Sequence, residues 1–200
     1  MSPRLRIIVW TLLCVTTVFA LSAIGVQVQK IRQPPLPKFK QLPEFQLTER
    51  TGKPVTLSDL KGKVWLADFI YTTCPGPCPM ISSHLATLQK SALQQDTVRF
   101  VSISTDPSND TPEVLRKYAE HLNASDKWLF LTGEKAVVYD LIEHGFFLAV
   151  AEQADEKNRV VHSTKIALVD KQGVIRKYFN GENAEQDAEI LRDIAQLLRE

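Results

Sequence analysis

The chain has 200 residues, of which 44% are apolar and 24% are charged, a balance typical of a folded globular protein rather than a disordered one. Residues 1–40 contain six Lys and Arg side chains and no acidic residue. The rest of the chain therefore holds 18 of the 24 basic residues against all 23 acidic ones. An acidic domain behind a basic arm argues against nucleic acid as a partner, because phosphate binding needs a basic face on the domain itself.

An apolar segment without charged residues runs from residue 7 to residue 28. Its 22 residues exceed the ~20 that a helix needs to cross a bilayer, and they extend past the core of a cleavable signal peptide. We therefore expect a basic N-terminus at 1–6, a retained transmembrane anchor at 7–28 and a Pro-rich linker at 29–40. The folded domain is expected at 41–200.

Secondary structure within the domain is predicted in chain order as follows. A hairpin around residues 45–57 precedes a buried strand at 64–71, a helix from about 80 to 94, a strand at 98–104 and a helix at 111–122. A strand at 128–131, a helix at 135–143, strands at 146–150, 165–169 and 174–179, and a C-terminal amphipathic helix complete the series. This alternation predicts an α/β domain with a mixed, largely parallel sheet and helices on both faces.

The motif Cys74-Pro75-Gly76-Pro77-Cys78-Pro79 lies where the buried strand gives way to a helix. Thiols near a helix N-terminus are expected to have lowered pKa values, because the helix dipole favours the thiolate. Such a pair can exchange disulfides or bind a soft metal ion. A purely structural disulfide is the weaker interpretation, because so short a loop constrains the unfolded chain little. Cys14 is expected to be an ordinary apolar residue of the anchor.

Four histidines could complete a metal site with the dithiol. His84, His121 and His144 are predicted to have ordinary structural roles. The pattern leaves open whether His162, which precedes a predicted strand, is a ligand. Asp110 is expected to cap the helix that begins near residue 111.

Three separated motifs resemble the Sco/SenC family, which comprises membrane-anchored copper proteins of thioredoxin-like fold that help assemble the binuclear copper site of cytochrome c oxidase. They are Tyr71-Thr72-Thr73-Cys74-Pro75-Gly76-Pro77-Cys78-Pro79, then Ser104-Thr105-Asp106-Pro107 with Asp110-Thr111-Pro112-Glu113, and Val161-His162-Ser163-Thr164 followed by Leu168-Val169-Asp170 and Gly173.

The resemblance implies that Cys74, Cys78 and His162 bind copper, as Cu(I), Cu(II) or both. It implies a copper chaperone, not necessarily an enzyme, whose partners are the copper-bearing oxidase subunit and a protein that reduces its thiols. It also implies a single-pass protein of the bacterial inner membrane whose domain faces the periplasm, where a dithiol can cycle with a disulfide.

Two features depart from the family pattern. Gly76 stands where members often have an acidic residue, and Thr73 where they often have histidine. Zinc remains an alternative metal, since two thiolates and one imidazole leave a fourth position open. The alternative function is a membrane-tethered thiol-disulfide oxidoreductase. A peroxiredoxin is disfavoured because Ala67 and Tyr71 occupy the places of its Pro and Thr.

Overall fold

The computed structural model describes residues 3, 10, 13–19, 34–152 and 160–200, with the backbone alone for 150–152 and 160–162. It divides the chain into two compact units, residues 1–35 and 36–200. Residues 13–19 are helical, but within the described ranges no helix is long and apolar enough to cross a membrane. Most of the predicted anchor at 7–28 lies outside the described residues, so the anchor stays a prediction.

The strands are β1 (Gln46–Glu49), β2 (Pro54–Thr56), β3 (Val64–Ile70), β4 (Val98–Ser104), β5 (Trp128–Thr132), β6 (Val150–Glu152), β7 (Val160–His162), β8 (Lys165–Val169) and β9 (Ile175–Asn180). The α-helices of unit 36–200 are α1 (Leu57–Leu60), α2 (Cys78–Ala92), α3 (Pro112–His121), α4 (Lys135–Asp140) and α5 (Asp187–Arg199). A π-helical turn, Leu141–Gly145, continues α4, and a 3-10 turn, Ala184–Gln186, precedes α5.

The larger sheet has the strand order β2-β1-β5-β4-β3-β8-β9. Strands β3, β4 and β5 are parallel, whereas β1, β2, β8 and β9 pair with their neighbours in the antiparallel sense. Strands β6 and β7 form a separate antiparallel pair. The mixed sheet predicted from the sequence is therefore confirmed. The expectation that it is largely parallel was wrong, because four of its six strand pairings are antiparallel.

Helices pack on both faces of this sheet, as predicted. Every side chain of β3 is buried, and successive side chains point to opposite faces. One face packs against α1, α4 and the π-helical turn. The other face packs against α2, α3 and α5. Because β3 contributes to both apolar cores, its position inside the sheet, between β4 and β8, is fixed.

The strand predicted at 146–150 is wrong. Phe146 ends the π-helical turn and inserts into the core, where its ring contacts Phe69 edge-on with a centroid distance of 5.1 Å. Phe147 then adopts a φ of 53°, a left-handed conformation that ends any extended run. Only Val150–Glu152 is extended, and this segment pairs with β7. Burial of one aromatic ring therefore outweighed the local strand propensity.

Arg176, on β9, ties the start of the folded unit to its C-terminal end. Its side chain is 2% exposed, and its Nη1 contacts Asp170 Oδ2 at 3.0 Å and Glu200 Oε2 at 2.7 Å. Its Nε and Nη2 donate to the carbonyl oxygens of Pro37 and Leu36, at 2.9 and 2.7 Å. Five hydrogen bonds thus satisfy one guanidinium group and hold residues 36–37 against the domain.

We expect Arg176→Met to lower the free energy of unfolding by about 3–5 kcal/mol, because it leaves the buried Asp170 carboxylate without its cation. Urea denaturation of the full chain measures this change. Arg116→Met is the matched control, since Arg116 is half exposed and lies 3.8 Å from Glu120. Its effect should stay below about 0.5 kcal/mol. Equal effects of the two substitutions would contradict the assigned role of Arg176.

Candidate dithiol site

The dithiol lies at the point where β3 leaves the sheet. Strand β3 ends at Ile70, and α2 begins at Cys78 with Pro77 as its N-cap residue and Pro79 in its first turn. Proline is tolerated at these positions because the first turn of a helix needs no N–H donors. Cys74 lies in the connecting loop, so the two cysteines are not held at the fixed spacing of a regular helix.

Both thiols are buried at the edge of an apolar core. Cys74 is 8% exposed and Cys78 is not exposed, and both belong to the cluster that contains Phe69, Tyr71 and Phe146. The two cysteines are thiols rather than a disulfide, and their side chains hydrogen-bond to each other. The Gly76 N–H points at Cys74 Sγ, at 3.4 Å. The sulfur atoms are therefore adjacent, and Cys74 is the one that solvent reaches.

For Cys78, the expectation of a lowered pKa was wrong. Burial raises the pKa of the Cys78 thiol well above its ordinary value, and the hydrogen bond with Cys74 acts in the same direction. Loss of solvation outweighs the helix dipole here because the sulfur lies inside the core rather than at the surface. Burial also raises the pKa of the neighbouring Tyr71 phenol, which hydrogen-bonds to Cys74. The site thus favours a protonated Cys78 unless disulfide formation or a bound cation displaces the proton.

Asp68 is a buried carboxyl group near the dithiol that the sequence analysis did not single out. It lies in the middle of β3, is 1% exposed, and accepts a hydrogen bond from Ser102 Oγ at 2.6 Å. Ser102 Oγ in turn accepts from Trp128 Nε1 at 2.9 Å. Burial raises the pKa of Asp68 to about 7, and its charge raises the pKa of Cys78. The sequence signal that could have identified Asp68 is a single acidic residue inside an otherwise apolar strand.

Asp110 anchors the start of the cysteine loop rather than capping α3. Its carboxylate accepts from Thr72 Oγ1 at 2.5 Å and from Ser104 Oγ at 2.6 Å, and the Thr72 N–H lies 3.2 Å from Oδ2. Thr111 is the N-cap residue, and its side chain accepts from the Val114 N–H. The N-cap residue is therefore Thr111, one residue after the predicted Asp110. Asp110 instead joins the loop that follows β4 to the loop that follows β3, through Thr72, which lies two residues before Cys74.

The structure places the four histidines in different settings. His162 ends β7, where its backbone lies opposite Val150, and its side chain is outside the described part of the structure. His121 and His144 are exposed. His84 is buried and contacts Gly181 and Asp187. Across the described side chains no group of three or more His, Cys, Asp or Glu could hold a metal ion, so a third ligand beside the dithiol remains a prediction.

Two adjacent thiols in an apolar setting can undergo two kinds of reaction. They can lose two electrons and two protons to an oxidant and form a disulfide, or they can release protons to solvent and bind one soft cation through both sulfurs. A cation would also offset the cost of placing sulfur anions in the core. Soft donors and low solvation favour copper or zinc over hard ions such as magnesium.

We expect alkylation of the reduced chain to modify Cys74 before Cys78. Cys74 is the more exposed thiol, and each unit by which the Cys78 pKa is raised lowers its thiolate population about tenfold. Iodoacetamide labelling at pH 7, followed by mass spectrometry of the peptides, measures the order in a Cys14→Ser background. Urea-unfolded chain is the control, and there the two rates should converge. Faster labelling of Cys78 in the folded chain would contradict this picture.

Comparison with known proteins identifies the family of this chain. Residues 34–199 match the family model described as SCO1/SenC. The chain is 37% identical to an SCO1 protein homolog of Bacillus subtilis over 153 residues, covering 75% of this chain and 79% of the relative.

Two solved structures extend this agreement to the fold. The structure of BsSco, described as a member of the Sco family of cytochrome c oxidase assembly proteins with a disulfide switch, is 33% identical with a TM-score of 0.72, and the match covers 84% of this chain and 98% of that one. Copper-bound ScoI of Bradyrhizobium japonicum is 31% identical with a TM-score of 0.60, over 76% and 98% of the two chains. With sequence and fold in agreement, this chain belongs to the SCO1/SenC family.

Proposed function

We propose that this protein binds copper through Cys74, Cys78 and His162 and hands it to the binuclear copper site of cytochrome c oxidase, or prepares the cysteines of that site. The observation that carries the proposal is the pair of adjacent, buried thiols at the start of α2. Copper-bound ScoI and the oxidase-assembly role named for BsSco support it in relatives that are 31% and 33% identical.

The proposed chemistry follows from the thiols. Cu(I) is satisfied by two thiolates, whereas Cu(II) favours an additional imidazole ligand. Binding displaces the Cys78 proton, which burial otherwise retains. His162 is proposed as the third ligand because the family resemblance assigns it and because its strand directly precedes β8, the antiparallel neighbour of β3.

A second candidate function is thiol-disulfide exchange with partner cysteines. The hydrogen bond between the two thiols favours it, because sulfurs that close can join as a disulfide with little movement. The more exposed Cys74 would then be the sulfur that a partner thiol attacks or leaves. The same dithiol would need a reductant protein to return to the metal-binding form. The two functions share the sulfurs and differ in their need for His162.

We expect His162→Ala to keep a reversible Cys74–Cys78 disulfide but to lose most Cu(II) binding and to fail in oxidase maturation in cells. The reason is that disulfide exchange uses only the sulfurs, whereas Cu(II) needs the imidazole. Copper titration followed by the thiolate-to-copper absorption band, together with oxidase activity in a complemented deletion strain, measures these effects.

Three comparisons make this experiment decisive. Circular dichroism must first show that the variant is folded. His144→Ala, which removes an exposed histidine, should bind copper as the parent does, and the double substitution Cys74→Ser with Cys78→Ser should bind none. Parent-like Cu(II) binding and full oxidase activity in folded His162→Ala would favour the oxidoreductase function.

We further propose that residues 7–28 hold the chain in the bacterial inner membrane as a single span, with the domain in the periplasm. The uncharged run supports a single span. The dithiol and the family resemblance support the periplasmic side, whereas the basic residues do not, because two precede the run and four follow it closely. Alkaline phosphatase fused after Glu200 should be active, because that enzyme folds only where its disulfides form. An inactive but stable phosphatase fusion, with an active cytoplasmic reporter at the same position, would reverse the topology.

A further inference from the structure

His84 lies on the same helix as Cys78, six residues further along, and connects that helix to the far side of the domain. Its side chain is 6% exposed. Its Nδ1 lies 3.0 Å from the carbonyl oxygen of Gly181, and its Nε2 contacts Asp187 Oδ1. Gly181 follows β9, and Asp187 is the first residue of α5. One imidazole therefore bridges α2 to two later parts of the chain.

Both groups that face the ring are hydrogen-bond acceptors. A backbone carbonyl has no hydrogen to give, and neither has an ionised carboxylate. A neutral imidazole has one N–H and would leave one ring lone pair facing an oxygen, whereas the imidazolium gives each acceptor a hydrogen. Each ring nitrogen of His84 therefore faces an acceptor, and the Asp187 carboxylate lies at a helix N-terminus, where an anion is favoured.

Gly181 carries this connection on towards His162. Its N–H donates to the carbonyl oxygen of Thr164 at 2.9 Å. A Cβ atom at position 181 would lie 2.8 Å from that same oxygen and 3.1 Å from Ile81 Cγ2, so only glycine allows the approach. Thr164 is two residues beyond His162 and directly precedes β8.

We propose that His84 is a positioning residue for copper. It fixes the spacing between α2, which carries Cys78, and the segment from His162 to Thr164 that leads into β8. Two hydrogen bonds lead from the His84 ring through Gly181 to Thr164. Cys78 lies about 9 Å from His84 along the axis of α2, at 1.5 Å per residue. Fixing the imidazole therefore also fixes the end of the helix that carries the dithiol. The inference rests on the proposed function, because it concerns the third ligand of the same site.

Two substitutions break this connection from opposite ends. His84→Leu removes both ring nitrogens, and Gly181→Ala pushes Thr164 away while leaving His84 in place. We expect each to weaken Cu(II) binding by the full chain about 10–100-fold, the usual effect of losing a group that orients a metal ligand. Binding of one Cu(I) and formation of the Cys74–Cys78 disulfide should be unchanged. The double variant should bind Cu(II) no more weakly than either single variant, because both act through one contact.

His144→Gln is the matched control, since His144 also pairs with an aspartate, Asp140 at 3.0 Å, but is 72% exposed. It should bind Cu(II) as the parent does. A metal-free measurement accompanies the titration: hydrogen exchange of the Gly181 amide should be faster in His84→Leu than in the parent.

Unchanged exchange in His84→Leu, or unchanged Cu(II) affinity in both variants, would overturn the inference. A parallel loss of Cu(I) binding, disulfide formation and thermal stability would also overturn it, since that pattern describes a structural residue. Failure of the proposed function looks different. In that case the parent's Cu(II) binding would not depend on His162, while the Gly181 amide, which donates to Thr164, would still exchange faster in His84→Leu than in the parent.

Discussion

Burial of β3 on both faces is the constraint on which the rest of this structure depends. The strand lies between the parallel β4 and the antiparallel β8, and its side chains enter both apolar cores. A strand held in this way cannot slip by one residue without exchanging its two faces. The loop that follows it therefore leaves the sheet at one defined point, and Cys74 and Cys78 are placed there.

The same burial sets the chemistry of the dithiol. A helix N-terminus by itself would favour a thiolate, but Cys78 lies inside the core, where loss of solvation dominates and raises its pKa. Asp68, buried in the middle of β3, adds a further negative charge when it ionises. A proton, a disulfide bond or a soft cation each relieves this unfavourable charge, so the two sulfurs suit a site that alternates among these states.

Buried polar contacts then hold the surrounding segments in place. Asp110 joins Thr72 to Ser104 beside the cysteine loop, Arg176 holds residues 36–37 against β9, and His84 bridges α2 to Gly181. Each contact joins segments that are distant in sequence, and leaving one partner unpaired in the interior would be costly. The apolar cores position the layers, whereas these contacts fix the loops around the dithiol.

The sequence by itself determined the class of fold, the order of most elements and the motif that holds the chemistry. Apolar periodicity and turn residues are local signals, and they located β3, β4, α3 and the start of α2 to within a few residues. It did not reveal the π-helical turn and the left-handed Phe147, because the fit of Phe146 against Phe69 depends on a partner about 80 residues away. Likewise, only the tertiary structure showed that Asp110 anchors a loop rather than capping a helix, that burial raises the pKa of Cys78, and that two acceptors face the His84 ring. Those outcomes depend on solvation and on neighbours brought together by folding, which no local pattern of residues encodes.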